Sequence, residues 1–175
     1  MKAFARRGFQ LRAASLETRV AYTGFLLLII PGIATLVALS MGRMGFSPTA
    51  IASYYRGGES ELSFPRTFWQ LMETSHFHLF TVPVVGLILC HLLYGTNARG
   101  GLRIALTAVV YLGALFDALG PWAVRYFSAG FAYLLLLGWV MLAAGMLAIV
   151  ALTLFALWGP ARRDLPVPMN GEDKP

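Results

Sequence analysis

Four long apolar runs alternate with short polar segments along the chain. They occupy residues 20–41, 67–94, 103–120 and 130–158. Each is close to the roughly 20 residues that an α-helix needs to cross the hydrocarbon core of a bilayer. The pattern predicts an all-α fold, an integral membrane four-helix transmembrane bundle. It divides the chain into a basic amphipathic N-terminus at 1–19, the bundle at 20–158 and a disordered tail at 159–175.

Turn signals mark the connections between the runs. The Gly120-Pro121 pair predicts the end of the third span, followed by a short amphipathic link at 121–129. Between the first two spans, Ser47 stands before a proline and suits the N-cap position of a helix. We therefore expect a short helix at 48–56 in the polar connection.

Small residues indicate how the helices pack. Gly138 and Gly145 lie seven residues apart in the fourth span, which places them on one helix face. Such a stripe allows close contact between membrane helices. In the first span, Pro31 predicts a kink.

Composition and charge agree with a lipid environment. The chain of 175 residues is 58% hydrophobic and 13% charged, whereas soluble domains carry about 25% charged residues. The net charge of +6 comes from Lys and Arg flanking the spans, not from a nucleic-acid-binding patch. A single cysteine excludes an internal disulfide and a Cys-rich metal site.

The distribution of basic residues predicts the orientation. Ten Lys and Arg lie on the side that holds both termini and the loop between spans two and three, against four on the other side. The positive-inside rule then places both termini in the cytoplasm. We expect a multi-pass protein of a bacterial-type cytoplasmic (inner) membrane.

Polar chemistry concentrates in the second span. All three histidines, His76, His78 and His91, lie there, and Glu73 is one of only two acids inside spans, the other being Asp117. An ionisable group in hydrocarbon costs a few kcal/mol on insertion scales and is by default a candidate functional residue.

Helical phase sorts these residues. Glu73 and His76 are three apart and share a face, which Phe80, Leu87 and His91 continue. His76 and His78 are about 200° apart around the helix, so they point to nearly opposite sides. His78 is therefore expected to face a different neighbour or a second copy of the chain.

The histidine spacing suits haem. His91 follows His78 by 13 and His76 by 15 residues, or roughly 20 Å along a helix. In length, number of spans and this SHFH…CH pair, the chain resembles the small bacterial four-helix di-haem cytochromes b. The resemblance implies haem b held by His76 or His78 near the outer face and by His91 near the inner face.

The other spans contain no histidine, so a haem would need a different sixth ligand or an open position. A second copy of the chain is one source of that ligand. The candidate methionines near the outer face are Met41, Met44 and Met72.

Three further interpretations use the same residues. Glu73, His76 and Asp117 are candidate ligands of a single transition-metal ion. The histidines and carboxylates also suit proton transfer or a quinone pocket in an electron-transfer subunit. Finally, they can lock the bundle of a non-catalytic accessory subunit that binds no cofactor. Each interpretation places the protein beside partners in a membrane complex or in a homodimer, and no catalytic nucleophile set is present.

Overall fold

The computed structural model describes residues 10–58 and 63–160. Its five α-helices are α1 (Leu16–Met44), α2 (Pro48–Arg56), α3 (Phe68–Tyr94), α4 (Gly100–Tyr126) and α5 (Phe131–Trp158). Helices α1, α3, α4 and α5 are each long and apolar enough to cross a membrane, which confirms the predicted all-α membrane bundle. The parts of the predicted N-terminus and tail at 1–9 and 161–175 lie outside the described residues.

Short polar caps begin three of the helices. Ser15 accepts a hydrogen bond from the Thr18 amide at the start of α1. Ser47 accepts from the Ala50 amide at the start of α2, and the predicted short helix at 48–56 is confirmed. Thr67 and Gln70 form a reciprocal capping box at the start of α3. Each cap satisfies amide groups that have no partner within their own helix.

Helix α4 continues through Pro121 to Tyr126, so the prediction that this helix ends at Gly120 is wrong. Proline removes only one backbone donor, and membrane helices tolerate it where neighbouring groups approach the opened turn. Pro121 leaves the Asp117 carbonyl without its helical donor, and on the next residue the Ser75 hydroxyl donates to the Ala118 carbonyl oxygen over 3.5 Å. The predicted link therefore forms the last turns of the helix.

The closest packing is between α4 and α5, an antiparallel hairpin of spanning helices. A Cβ atom added to Gly138 would lie 2.7 Å from Cβ of Phe116, and one added to Gly145 would lie 2.9 Å from a methyl group of Val110. The predicted small-residue stripe on α5 is thus confirmed, and it brings the two backbones together.

Two hydrophobic clusters fill the bundle. The larger one, around Leu89, Val110 and Ile149, lies toward the end that holds the start of α1 and the end of α5. The smaller one, around Leu71 and Leu135, lies beneath α2 at the other end. Helix α1 packs mainly on α5, and α3 mainly on α4. Helices α1 and α3 thus pack on different neighbours and share little contact.

The described part of the N-terminal segment docks onto the bundle. Leu11 is fully buried, and its amide donates to the Gly95 carbonyl over 3.0 Å. Arg12 donates to the Pro160 carbonyl over 2.8 Å. This segment is therefore tied into the fold instead of only resting on the membrane surface. The two ends of the described chain meet at the same end of the bundle.

Candidate functional site

A buried carboxylate joins three membrane helices. Asp117 on α4 is 5% exposed, and both of its oxygens are bonded. Nδ1 of His78 on α3 lies 2.5 Å from Oδ2, and Nε1 of Trp139 on α5 donates to Oδ1 over 2.9 Å. A buried polar side chain of this kind fixes the rotation of each helix that reaches it.

The three residues meet at one depth because the helices are antiparallel. His78 lies ten residues after the start of α3, Asp117 nine before the end of α4 and Trp139 eight after the start of α5. At 1.5 Å per residue, all three lie roughly 12–15 Å below the same end of the bundle. They occupy the level between the two hydrophobic clusters.

Donor and acceptor chemistry defines the roles of the two oxygens. The indole N–H of Trp139 can only donate, so Oδ1 of Asp117 must accept. An ionised carboxylate also accepts from Nδ1–H of His78 through Oδ2. Nε2 of His78 then remains as the second ring nitrogen, and the described residues give it no hydrogen-bond partner.

Beside this triad lies a cavity of about 490 Å³. Its walls come from α1, α2, α3, α4 and α5. The polar lining residues are Ser40, Arg43, Tyr54, Tyr55, Arg66, Gln70, Glu73, Thr74, His78, Asp117 and Trp139. The apolar ones include Ile33, Leu36, Val37, Leu142, Ala143 and Met146. Clefts of this size with a few convergent polar groups are typical ligand sites.

Two tyrosines of α2 close the cavity at its interfacial end. Burial raises the pKa of the Tyr55 phenol well above its ordinary value, so Tyr55 keeps its O–H proton at neutral pH. The guanidinium of Arg66 stacks on the Tyr54 ring, with 3.9 Å between the guanidinium carbon and the ring centroid. This end of the cavity is therefore lined by neutral donors and cations.

The predicted stripe on α3 lies on the outside of the bundle. Glu73, His76, Phe80, Leu87 and His91 are all exposed. His76 contacts the ring of Phe80, with 4.9 Å between centroids, and Glu73 is also one of the residues that line the cavity. His78, which is off the stripe, is the histidine that faces the bundle interior. The predicted divergence of His76 and His78 is therefore what the helix shows.

The predicted metal set is not brought together. Asp117 meets His78 rather than His76, and Glu73 is one of the residues that line the cavity. Among residues 10–58 and 63–160, no three His, Cys, Asp or Glu side chains form a group able to hold a metal ion. The physical reason is helical phase, because Glu73 and His76 share a face that points away from α4.

The three candidate methionines lie at different places in the structure. Met44 lines the same cavity as His78, and Met146 of α5 lines it too. Met41 lines a second, adjoining cavity. Met72 is 41% exposed on α3 and lines neither.

The sequence did not single out Trp139, Arg43 or Arg66, which all line the cavity. The glycine before Trp139, Gly138, was a signal in the sequence that could have indicated this residue. In the α4–α5 hairpin a Cβ on Gly138 would lie 3.2 Å from the Asp117 amide nitrogen, so the glycine stripe sets the register that brings the next residue to the carboxylate.

Comparison with known proteins adds a family. A family model described as a transmembrane helical domain matches residues 45–164, a range that includes His78, Asp117 and Trp139. Neither the curated proteins nor the solved structures gave a match. The chain belongs to this Aq_1264_TM family of transmembrane helical domains.

Proposed function

We propose that the protein is a quinone-linked subunit of a membrane electron-transfer assembly. The observation that carries the proposal is His78, held by Asp117 through Nδ1, with Nε2 left for a ligand on a cavity of about 490 Å³. Quinone carbonyls accept hydrogen bonds, and quinone reduction and oxidation exchange protons. Histidine is suited to both tasks because it changes charge near neutral pH.

The lining of the cavity matches the two halves of such a molecule. Its polar residues suit a quinone head group, and Ile33, Leu36 and Val37 of α1 suit an isoprenoid tail. In this proposal the quinone, which dissolves in lipid, enters the cavity between α1 and α3. A quinone can therefore reach His78 without crossing an aqueous phase.

Asp117 and Trp139 act as positioning residues in this proposal. The carboxylate fixes the ring orientation of His78, and Trp139 fixes the carboxylate. A neutral His78 offers a lone pair at Nε2 to a hydroquinone hydroxyl, whereas a protonated His78 offers N–H to a quinone carbonyl. Electrons pass to or from a redox partner in the assembly.

The orientation completes the proposal. The side that holds Arg12, Arg19, Arg99 and Arg103 is the more basic one in the whole chain, which favours a cytoplasmic location for both termini in a bacterial-type inner membrane. The cavity then lies toward the outer face. Glu73, one of the residues that line it, is a candidate group for proton exchange with that face.

His78→Ala tests the proposal, and His76→Ala is its matched control on the same helix. We expect the affinity for decylubiquinone to fall about tenfold or more in His78→Ala, since a charge-assisted hydrogen bond to the ring is lost. His76 faces outward, so His76→Ala should stay within about twofold. Binding is measured by equilibrium titration of purified protein in nanodiscs, together with the quinone extracted from each preparation.

The same experiment distinguishes the quinone proposal from the interpretation as a non-catalytic accessory subunit. If His78→Ala lowers only the melting temperature and leaves quinone affinity and content unchanged, His78 serves the packing of the bundle alone. Equal losses in both variants would also contradict the proposal.

A single b-type haem is the second candidate. A histidine whose other nitrogen is held by a carboxylate is a common arrangement for metal ligands, and here Nε2 of His78 would be the ligand atom. Met44 and Met146 line the same cavity and could supply a sixth ligand. The two-level arrangement with His76 and His91 would instead need ligands from another chain.

A visible spectrum tests this candidate. Protein purified from its native membranes would show a Soret band that is lost in His78→Ala and kept in His76→Ala. A wild-type preparation with bound quinone and no Soret band would favour the first candidate.

A further inference from the structure

Four arginines lie at one end of the bundle, and two of them differ from the others in their hydrogen bonds. Arg56 donates to the Val124 carbonyl over 3.0 Å, and Arg125 donates to the Arg66 carbonyl over 3.0 Å. These two side chains therefore connect the end of α4 to α2 and to the segment just before α3. In contrast, the guanidinium groups of Arg43 and Arg66 make no hydrogen bond or ion pair with any described residue.

Arg43 and Arg66 both line a second cavity. Its volume is about 400 Å³, and it adjoins the His78 cavity because the two share Arg43, Met44, Tyr54 and Arg66. Arg43 lies in the last turn of α1, and Arg66 lies two residues before α3 begins. Two separate elements thus bring positive charge to one concave surface at the membrane interface.

Among the described residues, the guanidinium of Arg66 has a ring contact and no hydrogen-bond partner. Its guanidinium lies over the face of Tyr54, and a stacked guanidinium keeps its N–H groups directed outward in its own plane. Arg43 is exposed. Together the two guanidinium groups present N–H donors that match the oxygens of a phosphate group.

The other described residues in the wall of this cavity are apolar or uncharged. Met41, Gly42, Gly45 and Ala50 line it, and so does Phe64, whose side chain is 91% exposed. Exposed apolar side chains next to paired cations suit an acyl chain below a charged head group. None of the described residues that line this second cavity is acidic.

We propose that Arg43 and Arg66 form a binding site for the phosphate group of an anionic ligand at the membrane interface. The phosphate belongs to a lipid head group or to a free phosphate. The site adjoins the cavity of the quinone proposal and shares Arg43 and Arg66 with it, but it does not require His78.

The test compares lipid affinities of the full-length protein by native mass spectrometry. The probes are dioleoylphosphatidylglycerol, dioleoylphosphatidylcholine and inorganic phosphate. We expect wild type to prefer the anionic lipid, and Arg43→Gln/Arg66→Gln to bind it about tenfold less tightly or worse. Arg99→Gln/Arg103→Gln removes the same charge at the opposite end and should stay within about twofold. Arg43→Lys/Arg66→Lys keeps the charge and should stay within about threefold.

The outcomes are distinct. If millimolar inorganic phosphate displaces the anionic lipid, the ligand is a free phosphate; if it does not, the ligand is a lipid head group. Unchanged affinity in the glutamine pair overturns the site, and so does an equal loss in the lysine pair or in the control pair. Should the glutamine pair fail to fold, Arg43→Gln alone gives the same comparison, because Arg43 is exposed and bonded to no described residue.

Discussion

Gly138→Leu should prevent α4 and α5 from packing and lower the free energy of unfolding by about 3 kcal/mol. A Cβ at this position would lie 2.7 Å from Cβ of Phe116 and 3.2 Å from both the Asp117 amide nitrogen and the Gly113 carbonyl oxygen. Two of these three neighbours are backbone atoms, which cannot turn aside as a flexible side chain can. The larger leucine side chain must therefore push the helices apart.

The substitution should also reach the candidate site. Asp117 is one of the residues against which the new side chain presses, so its bonds to His78 and Trp139 should be lost with the helix packing. We expect quinone affinity to fall along with stability, although Gly138 carries no side chain toward the cavity.

Gly24→Leu is the control for this experiment. Nothing lies within 4 Å of a Cβ added to Gly24 on α1, so the new side chain meets only lipid. Leucine is also the better helix former, by somewhat under 1 kcal/mol. Unfolding in a titration with sodium dodecyl sulfate, followed by circular dichroism, gives both values. A Gly138→Leu protein as stable as Gly24→Leu would contradict the packing described for α4 and α5.

The sequence predicted the spans well because lipid imposes a simple rule on them. A run of about 20 apolar residues must form a helix to satisfy its own backbone. Even the glycine stripe on α5 was readable, since its spacing alone indicates one face. The end of α4 was not, because the effect of Pro121 depends on which neighbours approach the opened turn, and α3 supplies that neighbour.

The site was predicted in its residue types and not in its geometry. Helical phase correctly separated His76 from His78, yet it does not say which of two opposite faces turns inward. The stripe with more polar residues, Glu73, His76 and His91, was favoured, and it lies outside. What decides the rotation of α3 is Asp117, which sits on another helix and bonds His78. Such a long-range pair is invisible to the periodicity of one segment.

Helix α1 shows a further limit of sequence patterns. It has the composition of a spanning helix, yet only 6% of its most apolar window is buried in the bundle. It also precedes the range that the family model matches. Its role as one wall of the His78 cavity, through residues such as Leu36 and Arg43, follows only from three-dimensional placement.

Asp117→Asn should affect the binding of the two redox forms of the proposed ligand, quinone and hydroquinone, to different extents. Asparagine has the shape of aspartate but offers one oxygen and one NH₂ group. The Trp139 N–H can only donate, so the amide oxygen must face Trp139 and the NH₂ group must face His78. Nδ1 of His78 then accepts a hydrogen bond, and the ring proton moves to Nε2.

This change of tautomer makes Nε2 a donor only. A quinone carbonyl still receives its hydrogen bond, so affinity for decylubiquinone should stay within about threefold of wild type. A hydroquinone hydroxyl loses its acceptor, and leaving such a group unsatisfied costs about 1–3 kcal/mol. The affinity for the hydroquinone should therefore fall about tenfold to a hundredfold, while the melting temperature changes little.

Asp117→Leu supplies the contrast, because it removes both acceptors. His78 loses its orientation and Trp139 its partner, so both redox forms should bind weakly and stability should fall by about 1–2 kcal/mol, the range of polar contacts between membrane helices. Anaerobic titrations with the quinone and with its dithionite-reduced form, on wild type and both variants, give the four ratios needed. If Asp117→Asn weakens the two forms equally, or neither, then Nε2 of His78 does not contact the ring, and the cavity holds its ligand by other groups.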